Sequence, residues 1–153
     1  MTHRAGYVNI IGEPNVGKST LLNALLGERL VITNPKAQTT RHRILGILNG
    51  DDHQVVISDT PGILEPRYKL QETMMRAVNE AMTDADVLLV MTELGRSPEK
   101  APGVVQRAHQ VTCPVLVLVN KVDTGDQTVV ATALAAWQAE SPSAQIMPVT
   151  KMN

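Results

Sequence analysis

Four residues near the amino terminus have the types and spacing of a phosphate-binding loop. They match the pattern G-x-x-x-x-G-K-[ST] at Gly12, Gly17, Lys18 and Ser19. Glycines let consecutive backbone N–H groups curl around phosphate oxygens, and a helix that begins at the lysine directs its positive dipole end at the same anion. The Lys18 ammonium would reach the β- and γ-phosphates, and the Ser19 hydroxyl would bind Mg²⁺. The pattern therefore predicts a nucleotide phosphate site formed by Gly12, Pro14, Asn15, Val16, Gly17, Lys18, Ser19 and Thr20.

A second motif, NKVD at residues 120–123, has the chemistry needed to select a base. The Asp123 carboxylate can accept hydrogen bonds from guanine N1–H and the 2-amino group, whereas adenine would present an unprotonated N1. Asn120 can serve N7 and the neighbouring backbone, and the Lys121 stem can lie along the base plane. A site built to hydrogen-bond one group rejects analogues that lack it. Four such residues alone form an ordinary polar turn, so the prediction of guanine binding depends on the phosphate loop.

A third motif, DTPG at residues 59–62, follows an apolar run in the same way. The Asp59 carboxylate can hold the hydration shell of Mg²⁺, and the backbone N–H of Gly62 can touch a γ-phosphate. The same four residues also form a common turn. The position of the motif after a strand favours the functional interpretation.

The elements that must position these motifs alternate along the chain. Short apolar runs predict strands at 7–11, 43–48, 54–58, 87–91, 115–119 and 146–149, and helical spacing predicts helices at 18–26, 70–82, 103–110 and 127–140. This alternation is typical of an α/β fold with a mostly parallel sheet and flanking helices. Asn49-Gly50 predicts a hairpin and therefore one antiparallel edge strand. Because the phosphate loop and NKVD both follow strands, we expect these two motifs to meet in one crevice at the carboxyl ends of the sheet, and DTPG likewise follows a strand.

Composition limits the class of protein. The chain has 153 residues, of which 43% are hydrophobic. This length and composition predict one compact domain. Its net charge of −1 provides no global attraction for nucleic acid or anionic lipid. The lone Cys113 cannot form an internal disulfide, and the amino terminus lacks the pattern of a secretory signal, so we expect a cytoplasmic protein.

Together with KAQTTRHRILGI at residues 36–47, these motifs resemble the Era-type GTPases of the translation-factor-related class. The resemblance implies a Ras-like P-loop G domain that binds GTP and GDP and hydrolyses GTP slowly, switching the loops 27–42 and 62–70. It makes Lys18, Thr40 and Gly62 the catalytic residues. Thr40, or alternatively Thr39, would complete the Mg²⁺ ligands with Ser19 and Asp59. The partners that it implies are the small ribosomal subunit and its 16S rRNA.

The resemblance also implies features around the carboxyl terminus. Where the family has Ser-Ala for guanine binding, this chain has Thr150-Lys151, and the backbone N–H of Lys151 would meet guanine O6. Members carry a final helix and an RNA-binding KH domain, so we expect residues 1–153 to be a G domain shortened at its carboxyl-terminal end. We further expect a monomer, with peripheral contact to the inner membrane as a property of the full-length family.

Ile63 stands where Ras-like enzymes carry a glutamine that orients the attacking water. Related proteins with Pro-Asn in the phosphate loop use a bound K⁺ instead, and Asn15 occupies that place; the alternative is that Asn15 only braces the turn. Two other functions stay open. One is a nucleotide-binding switch without turnover, and the other is an ATP-using P-loop enzyme, against which Asp123 argues.

Overall fold

A computed structural model describes residues 2–27 and 42–150, and these form one twisted sheet flanked by helices. The strands are β1 Arg4–Gly12, β2 Ile44–Asn49, β3 His53–Asp59, β4 Val87–Glu93, β5 Val115–Asn120 and β6 Gln145–Pro148. The helices are α1 Lys18–Leu26, α2 Lys69–Thr83, α3 Pro102–Gln110 and α4 Gln127–Glu140. Two short 3₁₀ turns, Pro98–Lys100 and Val122–Thr124, were not predicted from the sequence.

The strand order within this part of the chain is β2-β3-β1-β4-β5-β6. Every neighbouring pair is parallel except β2 and β3, which are antiparallel. The hairpin between them closes with a hydrogen bond from Gly50 N–H to the His53 carbonyl, at 2.8 Å. The predicted fold class is therefore confirmed, including its antiparallel edge strand.

Alternating side chains of the central strands bury apolar surface on both faces of the sheet. One face packs against α2, α3 and α4, and its core includes Ile11, Leu88, Val90, Val117 and Trp137. The other packs against α1 around Leu22, with Ile10, Ile57, Leu89, Met91 and Leu118. This aliphatic packing holds the carboxyl ends of β1, β3 and β5 at the same edge of the sheet, where the three motifs begin, with β4 between β1 and β5.

A polar cluster interrupts the first of these cores. The fully buried Asn9 of β1 donates through Nδ2 to the Ala81 carbonyl at 2.5 Å and to Asp84 Oδ1 at 2.7 Å. Its Oδ1 accepts from the Ser58 hydroxyl at 2.6 Å. Arg43 in turn donates to both Asp84 oxygens, at 2.6 and 2.8 Å. The cluster ties the end of α2 to the middle of the sheet and to the residue that precedes β2.

Some predictions fall on residues outside 2–27 and 42–150. They concern Thr39, Thr40, Lys151 and nearly all of the first switch loop. Within the described ranges, no helix combines the length and the apolar character needed to cross a lipid bilayer.

Candidate nucleotide site

The phosphate loop lies between β1 and α1, as the sequence predicts. β1 ends at Gly12 and α1 begins at Lys18. Gly17 has a φ of 110°, and a Cβ there would overlap the side-chain amide of Asn120. Glycine is required at this position for both reasons. Asn15 also has positive φ, 65°, in the left-handed region that asparagine tolerates better than most residues.

Lys18 is buried at the floor of this loop. Only 6% of the residue is exposed, and its Nζ donates to the Glu13 carbonyl at 2.7 Å. Burial lowers the pKa of Lys18 to about 8, although the negative charges of Asp59 and Glu13 act in the opposite direction. The carboxylates therefore only partly offset the cost of removing this ammonium from water. An anionic ligand close to Nζ would favour its charged form.

Ser19 and Asp59 bring two oxygen donors together beside Lys18. The Ser19 hydroxyl donates to Asp59 Oδ2 at 2.5 Å, and Asp59 is completely buried at the end of β3. One hydroxyl and one carboxylate fit Mg²⁺, which prefers oxygen ligands and usually keeps several waters and phosphate oxygens in its shell. Within the described residues there is no cluster of three or more His, Cys, Asp or Glu side chains suited to an all-protein metal site.

The segment after β3 packs directly on the phosphate loop. Ile63 N–H donates to the Gly12 carbonyl at 2.8 Å, and a Cβ added to Gly62 would lie 2.6 Å from the Pro14 nitrogen. The Ile63 side chain is only 5% exposed and belongs to the core beside α3. Gly62 is thus next to the loop, whereas the residue in the place of a catalytic glutamine is buried and apolar.

The base-selecting motif is hydrogen-bonded to the phosphate loop. Asn120 Nδ2 donates to the Val16 carbonyl at 3.0 Å, and Lys121 Nζ donates to the Asn15 carbonyl at 3.1 Å. Lys121 also forms an ion pair with Glu93 at the end of β4. Its φ of 62° is unfavourable for a lysine, so these contacts hold a strained turn. The two motifs predicted to converge do so through direct contacts.

Asp123 is exposed at the rim of the crevice. Its Oδ1 accepts a hydrogen bond from the Thr150 hydroxyl at 2.9 Å. Thr150 was predicted to contact the nucleotide, and the structure gives its side chain a contact with the base-selecting carboxylate. This bond fixes the orientation of a side chain that would otherwise rotate freely in water.

Sequence reasoning missed two charged residues that support the site. Arg96, in the turn after β4, forms a bidentate ion pair with Glu13, and Glu93 pairs with Lys121. Glu13 occupies a position at which the phosphate-loop pattern allows any residue, so the pattern predicts no role for its charge. Arg96 is 83 residues away from Glu13 in sequence, and no motif marks it.

A phosphate loop between a strand and a helix, with a base-selecting motif on the next strand but one of the sheet, defines the P-loop G domains as a class. A family model described as 50S ribosome-binding GTPase matches residues 7–121. This chain belongs to that GTPase family.

Sequence and structure comparisons agree with the resemblance to Era-type GTPases. The chain is 41% identical over 154 residues to GTPase Era of Clostridium beijerinckii, and the match covers 98% of this chain and 51% of the relative. A crystal structure of Era with MgGDPNP and a fragment of 16S ribosomal RNA has a TM-score of 0.86 at 36% identity, covering 97% of this chain and 51% of that one. Aquifex aeolicus Era bound to GDP·AlF4⁻ has a TM-score of 0.88 at 37% identity, covering 95% and 51%.

This chain therefore spans about half the length of the Era proteins that it matches. The matched half contains the phosphate loop, Asp59 and the base-selecting motif.

Proposed function

We propose that this chain binds GTP and GDP with Mg²⁺ and hydrolyses GTP slowly, as a molecular switch. The observation that carries the proposal is the pair of hydrogen bonds from Asn120 and Lys121 to the carbonyls of Val16 and Asn15. They join a phosphate-binding loop and a guanine-selecting motif into one crevice, so that one nucleotide can engage both. Era relatives bound to MgGDPNP and to GDP·AlF4⁻ support the same assignment.

The phosphate half of the crevice would hold the β- and γ-phosphates. In this proposal the Lys18 ammonium moves from the Glu13 carbonyl toward the phosphate oxygens. The backbone N–H groups of the phosphate loop, up to Thr20, surround the same oxygens. Gly62 donates its N–H to the γ-phosphate. Its place against Pro14 supports this role. Thr40 would act with them when GTP is bound.

Ser19, Asp59 and Thr40 are the proposed Mg²⁺ ligands, with Asp59 acting directly or through a water. The hydroxyl of Ser19 and the carboxylate of Asp59 lie next to each other, which supports the assignment. When bound, Mg²⁺ neutralises charge on the β- and γ-phosphates. The Ser19 hydroxyl would exchange its hydrogen bond to Asp59 for a bond to the ion.

The base half would select guanine. Asp123 accepts from N1–H and the 2-amino group, with Thr150 holding the carboxylate in place. Asn120 serves N7 and the phosphate loop, the Lys121 stem covers one face of the base, and the Lys151 N–H meets O6. An ATP-using enzyme is disfavoured because adenine would give Asp123 no donor at N1.

Water activation requires a group other than the residue after Gly62. Ile63 is apolar and buried against α3, and positive charge near the leaving oxygen is another source of acceleration. We propose that the exposed Asn15 side chain binds K⁺ there. The alternative role of Asn15, bracing the turn, is consistent with its positive φ.

We further propose that the switch acts in the assembly of the small ribosomal subunit in the cytoplasm. The Era structure that contains 16S ribosomal RNA supports this more specifically than the family description, which names the 50S particle. Contact with rRNA would depend mainly on a KH domain of the kind that Era-type GTPases carry. Function as a monomer and peripheral contact with the inner membrane belong to the same proposal.

Two measurements test the proposal. Competition of GTP and ATP for a fluorescent guanine nucleotide should show displacement by GTP alone; equal displacement by ATP would eliminate guanine selection. Single-turnover release of phosphate from bound GTP should then show slow hydrolysis, while binding without release would leave a switch that does not turn over.

A further inference from the structure

The turn after β4 places a guanidinium directly on the phosphate loop. Arg96 Nε donates to Glu13 Oε1 at 3.0 Å, and Nη2 donates to Oε2 at 2.7 Å. Nη2 also donates to the Lys100 carbonyl at 2.8 Å. This fork geometry gives two parallel charge-assisted hydrogen bonds, which fix orientation as well as charge.

Arg96 is held firmly from its own side. Its N–H donates to the Glu93 carbonyl at 3.0 Å, and its carbonyl accepts from Trp137 Nε1 at 3.3 Å. Trp137 belongs to α4 and is 1% exposed, packed into the core. The guanidinium therefore projects from a rigid turn, and Glu13, in the loop that must bind the ligand, is the residue whose position it sets.

Glu13 places a carboxylate in the loop that would bind an anion. Its carbonyl accepts the hydrogen bond from Lys18 Nζ at 2.7 Å, so its backbone positions the ammonium that would meet the phosphates. Its carboxylate is close enough to favour the charged form of Lys18, so it would also repel phosphate. Without a partner, this side chain would oppose the binding that its backbone supports.

We propose that Arg96 is a positioning residue of the phosphate site, which neutralises the Glu13 carboxylate and holds the Glu13 carbonyl on Lys18. This inference rests on the proposed nucleotide-binding function. It gives the turn after β4 a role in nucleotide affinity as well as in folding.

Four proteins test this: the unchanged chain, Arg96→Gln, Glu13→Gln and the double variant. Glutamine at 96 keeps the first part of the stem, and the backbone hydrogen bonds of residue 96 to Glu93 and Trp137 remain, so the turn should survive. Affinity for GDP with Mg²⁺ would be measured by fluorescence titration at about 0.05 M and about 0.5 M salt. We expect Arg96→Gln to weaken GDP binding roughly tenfold at low salt. The loss should be smaller at high salt, because salt screens the Glu13 charge that no longer has Arg96 as its partner.

Rescue is the decisive result. If repulsion by Glu13 is the cause, the double variant should bind GDP nearly as tightly as Glu13→Gln alone. If the double variant stays as weak as Arg96→Gln, Arg96 only braces its own turn and the inference is wrong. Arg76→Ala, which removes one charge from the exposed face of α2, controls for net charge, and thermal unfolding of each variant controls for folding. Absence of GDP binding by the unchanged chain would instead overturn the proposed function.

Discussion

The two halves of the crevice differ in how they treat charge. In the phosphate half, Lys18 and Asp59 are buried. In the base half, Asp123 and Lys121 remain exposed, and hydrogen bonds to Thr150 and to the loop carbonyls orient them. The fold thus dehydrates the charges of the phosphate half and leaves those of the base half in water.

This difference separates affinity from selectivity. A desolvated ammonium interacts strongly with a phosphate because little water screens the pair, and its solvation cost is already included in the folded state. A hydrated carboxylate gains less on binding, but it penalises a base that leaves it unpaired. We therefore expect changes in the phosphate half to affect all nucleotides and changes in the base half to affect their ranking.

The largest effect should come from Lys18→Met. Loss of the buried ammonium should weaken GDP and GTP binding by about 10³-fold, measured by isothermal titration, because several charge-assisted hydrogen bonds disappear together. The ligand-free variant should unfold at the same temperature or a higher one, since burial of this charge is costly. Unchanged affinity would show that Lys18 is not part of a phosphate site.

Asp123→Asn should change the ranking of nucleotides. GDP binding should fall by about 10²-fold, because a charged acceptor for two donors is lost, while xanthosine diphosphate should gain, since the amide can donate to its 2-oxo group. Competition titrations with the two diphosphates measure the ratio. If affinity for both falls equally, Asp123 has a structural role and the two halves do not differ as proposed.

A smaller effect should appear with pH. The folded pKa of Lys18, about 8, lies below the ordinary 10.5, so the unfolded chain binds more protons between these values and the stability of the ligand-free protein should rise with pH across that window. Phosphate should raise the pKa again, so nucleotide affinity should fall above pH 8, by up to about tenfold per pH unit. Calorimetry in buffers of different ionisation enthalpy should detect proton uptake on binding, which Lys18→Met should lack.

The smallest expected effect concerns K⁺. At equal ionic strength, GTP hydrolysis should be about three- to tenfold faster in K⁺ than in Na⁺, since a cation beside the bridging oxygen offsets developing charge. Asn15→Ala should abolish the difference. Ile63→Val, a mild change in the adjacent core, should leave the salt difference intact. Equal rates of the unchanged chain in both salts would exclude K⁺ from the phosphate half.

Local patterns predicted most of the fold and the motif positions of the site. Helix α1 begins and ends where its spacing indicates, because the glycine turn and the aliphatic stripe are both local signals. β1 starts at Arg4, earlier than its apolar run, because Arg4 to Gly6 pair with His53 to Val55 of β3. The Glu13–Arg96 pair was not predictable, since it depends on the position of a turn in the folded sheet and not on any local pattern.

The cluster around Asn9 has a consequence for how related sequences can diverge. Replacing only Asn9 or only Ser58 would leave the other side chain buried without the hydrogen bond between them, at a cost of about 1–3 kcal/mol, whereas replacing both with apolar residues would leave neither unpaired. We therefore expect these two positions to change jointly in an alignment of relatives. Such covariation would appear between two fully buried sites that are 49 residues apart in the sequence.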